Sequence, residues 1–518
     1  MSIIPPSAVF ILHSILPLVL VAACHAEDQA ASPRPQLALA AYFGDHAVLQ
    51  RDKAVPIWGV AGAKAQIAVS FRGQMVRTVS DSGGRWIVKL APMGASAEPT
   101  DLVVTGQDSV TLHDVVVGDV WFCSGQSNME VSVNDSLNPA AEAAAGNYPD
   151  IRQLGISHSV SSTDGVQTEG WKAASSDTVG HFCAVGYFFA RNIYQSVGVP
   201  IGIVRCSWGA TPIEAWMSDA ALNSTSVAAS IDTRWQKVVS AWTPELAAQY
   251  PAKLEAWRQA DLKATQANVW NTMPFPMPPV TNDSPMRPGI LFNNMVAPLQ
   301  KAAICGFLWY QGESNAGLSD EYAELLTTLI KTWRAGWGQG DLPFYFVQIA
   351  NYGDEKNLDD RSWAKLRDAQ TKALSMANTG MAVSIDIGEA HNVHPKNKQE
   401  VGRRLALIAK AQFYHVQPES SGPVFSGAVR EGNALRVHFT HAGSELVSHG
   451  GAVTAVEIAG VDRVFHTAAA LIDSNSLLVS SLDVSEPVAV RYAWTNSPTA
   501  NLYNDSCLPA VPFRSDDW

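Results

Sequence analysis

The chain has 518 residues, too many for one ordinary core, and 47% of them are hydrophobic, so two to four globular domains are expected and a disordered chain is excluded. Lysine and arginine total 36 against 48 acidic residues, a formal charge of −12. That balance argues against nucleic acid or an anionic membrane surface as the partner.

Residues 1–26 read as an export signal. The apolar run from Ala8 to Cys24 is broken by His13 and Pro17, too short and too interrupted for a membrane span. "VAAC", ending at Cys24, is similar to the box that precedes a lipidated cysteine, and cleavage after Ala26 competes with it. The expectation is an exported protein, periplasmic or secreted, with Cys24 as a candidate lipid anchor. Five further cysteines remain, an odd number. Cys123, Cys206 and Cys305 sit inside apolar runs and read as small buried residues rather than a disulfide framework.

Residues 37–113 alternate as short strands, "AQIAVSF" and "RWIVKL" among them, separated by turns such as "DSGG"; they predict an all-β sandwich domain. Residues 114–417 change character. Apolar strand runs at 114–123, 199–206, 302–310, 344–350 and 380–387 alternate with helical patterns. The fold class is α/β, with a five-stranded parallel sheet covered on both faces. After residue 318, Tyr322, Leu325, Leu326, Leu329, Ile330 and Trp333 recur at helical spacing. Another helix is predicted to begin near residue 396, with Pro395 in its first turn. A segment at about 217–290, first helical and charged, then proline-rich, interrupts the alternation and reads as an insertion that walls a site. Residues 418–518 return to short strands and predict a second accessory β domain.

Ligands of open parallel sheets bind beyond the carboxyl ends of the strands. The first strand run is followed by Gln126, Ser127 and Asn128, the second by Gly209, the third by Glu313 and Asn315, and the fifth by His394. Singly, each has an ordinary reading: a turn serine, a turn glycine, a helix-capping asparagine, a loop histidine. Together they supply acyl transfer. Ser127 is the nucleophile and His394 the base that takes its proton. The backbone N–H groups of Ser127 and Gly209, with the Asn315 amide, are three donors for an oxyanion. Gln126, Trp208, Trp216 and Trp309 are the candidates for substrate contact, although core packing accounts for Trp309 equally well. His391 and His394 form an H-x-x-H pair with no evident third ligand, so no metal and no cofactor are expected.

"GDVWFCSGQSNME", "WYQGESNA" and "HPKNKQEVGRRLA" resemble the motifs of sialate O-acetylesterase-like carbohydrate esterases of the SGNH hydrolase superfamily. "LFNNMVAPL" and the C-terminal segment share the resemblance, which runs from about residue 37 to the end. It implies a flavodoxin-like sheet, accessory β domains and no metal, and it maps Ser, Gly, Asn and His onto Ser127, Gly209, Asn315 and His394. Two positions depart from the family pattern. The Asp usual shortly before the histidine is absent, with Asn392 near that place, and Cys507 stands where a glycine is usual. The carboxylate orienting His394 is therefore open; Glu313, which resembles the G-E-S glutamate of related acetylxylan esterases, is preferred over Asp386 or no acid at all. The resulting expectation is an exported esterase releasing acetate from an O-acetylated carbohydrate, either a plant cell-wall polysaccharide of xylan or xyloglucan type or an O-acetylated sialic acid. Two rivals are a non-catalytic carbohydrate-binding protein on a degenerate esterase core and a lipase-like enzyme. The second lacks the GDS setting of lipolytic relatives.

Overall fold

The computed structural model describes residues 36–518 except 162–164, 268, 270, 272, 277–279, 282, 354–359 and 418. The segment read as an export signal, with Cys24, lies outside the described residues.

The centre of the molecule is a sheet built on β1 (Ser109–Gly125), β2 (Tyr148–Ile156), β3 (Thr168–Ala174), β4 (Ile201–Ser207), β5 (Gly306–Tyr310), β6 (Phe344–Val347) and β7 (Thr379–Ala382), in the spatial order β3-β2-β4-β1-β5-β6-β7. From β2 to β7 every neighbouring pair is parallel, and β3 closes one edge antiparallel to β2. The expected five parallel strands are β1, β4, β5, β6 and β7. The five-stranded count is corrected to six parallel strands, because β2 joins beside β4, within an 11-stranded mixed sheet.

Alternate residues of β1 feed opposite cores, as the strand period of two requires. Phe122 packs on one face with Phe307, Trp309 and Trp333, and Trp121 and Cys123 pack on the other with Phe189 and Leu405. Helix α1 (Ala184–Val197) and the late helix Lys398–Gln412 cover that second face, and Ser319–Trp337, with all six of its predicted apolar positions buried, covers the first. Lys398–Gln412 begins three residues after Pro395, and Asn397 caps it by accepting from the Glu400 N–H at 3.1 Å.

β1 is 17 residues long and belongs to two regions at once. Its first half pairs antiparallel with Ser96–Thr105 and, through Val116–Gly118, parallel with Val48–Gln50. The predicted boundary between residues 113 and 114 thus falls inside one strand. The strand stays buried as it crosses because its buried acid, Asp119, 1% exposed, is fully partnered: Arg51 donates at 2.9 and 3.0 Å and the Tyr414 hydroxyl at 3.0 Å. The C-terminal region forms two four-stranded antiparallel sheets and a two-stranded ribbon. It is tied to the core by Arg361, which donates to Glu457 at 2.9 Å and to the Trp494 carbonyl at 2.7 Å. Cys507, where a glycine was expected, has a φ of +56° in a tight turn closed by its N–H on the Asn504 carbonyl. All five described cysteines are free thiols, four of them buried.

The insertion after β4 contains Asp219–Asn223, Ala228–Ala241 and Pro244–Ala267. The last of these carries Asp261 close enough to His394 for its charge to be felt there.

Candidate active site

β1 ends at Gly125 with φ +137°, and a Cβ there would lie 2.1 Å from the Tyr310 carbonyl oxygen of β5. Only glycine lets the two strands close at this point. The chain turns at Gln126, and Ser127–Glu130 make a single helical turn. The first N–H groups of such a turn have no intrahelical acceptor, and that of Ser127 has none among the described residues. From the loop beyond β7, His394 brings its Nε2 to 2.8 Å from Ser127 Oγ.

Asn315 follows β5 and is 1% exposed. Its Oδ1 accepts from the Ile213 N–H at 2.9 Å and from Gln311 Nε2 at 2.7 Å, while Nδ2 donates to Glu214 at 2.9 Å. With one amide hydrogen committed, the second is left to point elsewhere. Burial pushes the Glu214 carboxyl above the usual range. Gly209 lies against Ser127: a Cβ at 209 would be 3.4 Å from the serine Cβ. Its N–H, expected to face an oxyanion, is donated to Glu130 Oε2 at 2.8 Å. The other oxygen of Glu130 is 2.8 Å from His158 Nε2, and the His158 ring stacks on Trp208 at 4.0 Å.

His394 is exposed. Desolvation first, and then the nearby charge of Lys398, lower its pKa to about 4, against the opposing pull of Asp261 and Glu130. The imidazole is therefore neutral at pH 7, the form a general base needs. Its backbone N–H donates to Asn392 Oδ1 at 3.0 Å. Among the described residues no acceptor meets its Nδ1.

Neither candidate acid orients the ring. Glu313, half-buried, accepts from Asn128 Nδ2 at 2.6 Å through Oε1, and its buried Oε2 has no partner among the described residues. Burial raises its pKa. Asp386 is engaged elsewhere: Arg404 grips it from two nitrogens at 2.6 and 2.7 Å, and the Tyr503 hydroxyl donates at 3.2 Å. Glu313 instead acts on the loop through Asn128, whose Nδ2 also donates to the carbonyl of Val393, the residue before His394, at 2.9 Å. The third partner is Lys398, fully buried, donating to Asn128 Oδ1 at 2.6 Å with its ammonium 5.3 Å from the Tyr310 ring centre. Burial lowers its pKa to about 7. Asn128 and Lys398 were not among the predicted site residues, although both stand inside the quoted motifs.

Three predicted substrate contacts are corrected. Gln126 is 3% exposed and its Oε1 accepts from Gln311 Nε2 at 3.2 Å and from the N–H groups of Gly312 and Ser314 at 3.4 and 3.2 Å. Trp216 and Trp309 are 0% exposed and pack edge to face. A parallel sheet buries both faces, so tryptophans at its strand ends turn inward. Trp208 alone of the four keeps accessible surface. Among the described residues, no group of three or more His, Cys, Asp or Glu side chains is positioned to hold a metal ion.

The model of a family described as "Carbohydrate esterase, sialic acid-specific acetylesterase" matches residues 117–260 and 282–410. A sialate O-acetylesterase of Mus musculus is 31% identical over 531 residues, covering 92% of this chain and 93% of its own. That of Homo sapiens is 28% identical, covering 97% and 96%. Among solved structures, a carbohydrate acetylesterase from Xanthomonas citri is 37% identical with a TM-score of 0.78, covering 93% of this chain and 100% of its own. The chain therefore belongs to the sialic acid-specific acetylesterase family of carbohydrate esterases and is an ester hydrolase.

Proposed function

We propose that this protein releases acetate from an O-acetylated carbohydrate through an acetyl-enzyme formed on Ser127. The observation that carries the reading is the 2.8 Å contact between His394 Nε2 and Ser127 Oγ at the carboxyl edge of the sheet. Ser127 Oγ attacks the acetyl carbonyl carbon while His394 takes its proton. The oxyanion is met by the Ser127 N–H and the second amide hydrogen of Asn315, and by the Gly209 N–H once Glu130 moves aside. Collapse expels the sugar oxygen, which takes the proton back from His394. Water, deprotonated by the same imidazole, then attacks the acetyl-serine, and acetate leaves as Ser127 regains its proton. The fold reading that goes with this chemistry is the SGNH core, residues 114–417, between accessory β domains at 37–113 and 418–518.

The substrate is an acetylated plant polysaccharide of xylan or xyloglucan type in preference to O-acetylated sialic acid. The net charge of −12 disfavours an anionic sugar. Export, with cleavage after Ala26 or lipidation at Cys24, fits a polymeric substrate that does not enter cells. Turnover of p-nitrophenyl acetate is expected in the wild type and its abolition in Ser127→Ala, with circular dichroism unchanged; equal turnover in the two removes Ser127 from the chemistry.

A further inference from the structure

The insertion holds two cavities that share a wall. The larger, about 470 Å³, lies between Asp219–Asn223, Ala228–Ala241 and the Arg287–Pro288 segment; Trp235, Asp219, Asp232 and Gln236 line it. The smaller, about 210 Å³, shares Ile231, Trp235 and Pro288 with it and runs to Pro212, Glu214 and Ser314. That inner end meets the active site. Ser314 is exposed, precedes Asn315 in the chain and donates its N–H to Gln126; Glu214 is the partner of the Asn315 amide. The Trp235 side chain therefore stands between an outer polar cavity and an inner one that reaches the oxyanion loops.

The wall between them is built rather than incidental. Gly289, at φ +80°, lies so close to Asp219 that a Cβ there would be 2.5 Å from its Oδ1, and its N–H donates to the Glu214 carbonyl at 2.9 Å. These contacts pin the Arg287–Pro288 segment over the helix that carries Trp235. Trp235 itself is not core: it is half-buried, and on its 14-residue helix only Ile231 is buried. A partly exposed indole beside carboxylate and amide side chains matches a sugar ring, which offers an apolar C–H face and a rim of hydroxyls. The charges select a neutral ring. Asp219 and Asp232 outnumber Arg287 in the outer cavity, and Arg234 in the inner one is paired with Glu321 at 2.8 and 2.7 Å.

We propose that Trp235 is the stacking platform of a second sugar subsite, which holds a neighbouring residue of a neutral glycan chain while Ser127 attacks the acetyl group of another. The proposal rests on Ser127 being the nucleophile, and its test separates the two. Acetylated and unacetylated xylo-oligosaccharides are the probes, with p-nitrophenyl acetate as the small substrate. Trp235→Ala is expected to lower kcat/KM on the acetylated oligosaccharide roughly tenfold, mainly through KM. It leaves p-nitrophenyl acetate turnover unchanged, and Trp235→Phe retains most of the activity. Calorimetry with Ser127→Ala protein is expected to detect binding of the unacetylated oligosaccharide, lost in the Ser127→Ala/Trp235→Ala double variant. Unchanged kcat/KM on the oligosaccharide in Trp235→Ala overturns the subsite. So does an equal loss on p-nitrophenyl acetate, which marks a structural defect, and so does a wild-type preference for O-acetylsialate over the neutral chain. Full p-nitrophenyl acetate turnover in Ser127→Ala overturns the nucleophile and leaves the binding measurement to judge Trp235.

Discussion

Ser127 stands between two halves built on different plans. On the oxyanion side, Gln126, Gln311 and Asn315 are buried amides bonded to one another, to backbone N–H groups and to Glu214. Tyr322 and Gln370 fix Gln311 from behind: the tyrosine hydroxyl donates to its Oε1 at 2.8 Å and Gln370 Nε2 to its carbonyl at 3.1 Å. On the base side, His394 lies in a loop, exposed, and is tied by its backbone to Asn392 and through Val393 to Asn128. The difference follows the chemistry. Oxyanion donors act only if they are fixed where charge develops, at no cost of reorganisation during reaction. A base that takes a proton and returns it to a second oxygen needs its ring steered but not locked.

Asn315→Ala is the strongest way to break this contrast. It removes a donor and leaves Glu214 buried beside a void, so kcat on an acetyl ester is expected to fall about 10²- to 10³-fold, the loss typical of one oxyanion donor. A fall below tenfold would mean that the rigid side is structural only. On the base side, Asn128→Ala releases the Val393 carbonyl and strands Lys398, and a histidine displaced by about 1 Å costs about 10²-fold. Glu313→Gln keeps a hydrogen-bonding group for Asn128 and is expected to cost less than Asn128→Ala. If Glu313→Gln instead collapses kcat by about 10⁴, as the loss of a triad carboxylate does, the acid reaches His394 during turnover and the mobile side is a triad after all. Asp386→Asn, measured alongside, lowers thermal stability rather than kcat, because it breaks a buried pair with Arg404.

The same contrast divides what the sequence made legible. Ser127, Gly209, Asn315 and His394 could be found because each follows an apolar strand run, and strand ends converge on one edge. β2 could not, because "YPDIRQLGI" shows no alternation and carries Pro149, Asp150 and Arg152; Arg152 is 3% exposed only because Asp114 accepts from it at 2.9 Å, a partner 38 residues away. Gln126 and the two buried tryptophans have the composition of a binding site and the burial of a core, and only tertiary packing separates these. Lys398 carries no such signal: nothing local to a charge at a helix start says that the Asn128 amide oxygen, 270 residues earlier, accepts a hydrogen bond from its ammonium.

The mildest test tunes the base without removing it. The neutral ring is the active form, so kcat/KM falls as His394 gains a proton. With its pKa lowered to about 4, activity on an acetyl ester is expected to stay level from pH 7 to about 5 and to halve near 4, well below the ordinary histidine value of about 6.5. Stability follows the same sign. Between pH 4 and 6.5 the unfolded chain binds a proton that the folded one refuses, so this contribution to stability is lost as the pH falls through that window. The groups facing the ring are the Lys398 ammonium, which lowers the pKa, and the Asp261 and Glu130 carboxylates, which raise it. Lys398→Met, which removes a charge without touching the imidazole, is expected to move the acid limb of kcat/KM upward; Asp261→Asn is expected to move it downward, by less. A limb near 6.5 in the wild type, unmoved by either change, would show that the loop opens the ring to water in solution, and the base side would then be more mobile than its bonds to Asn392 and Asn128 imply.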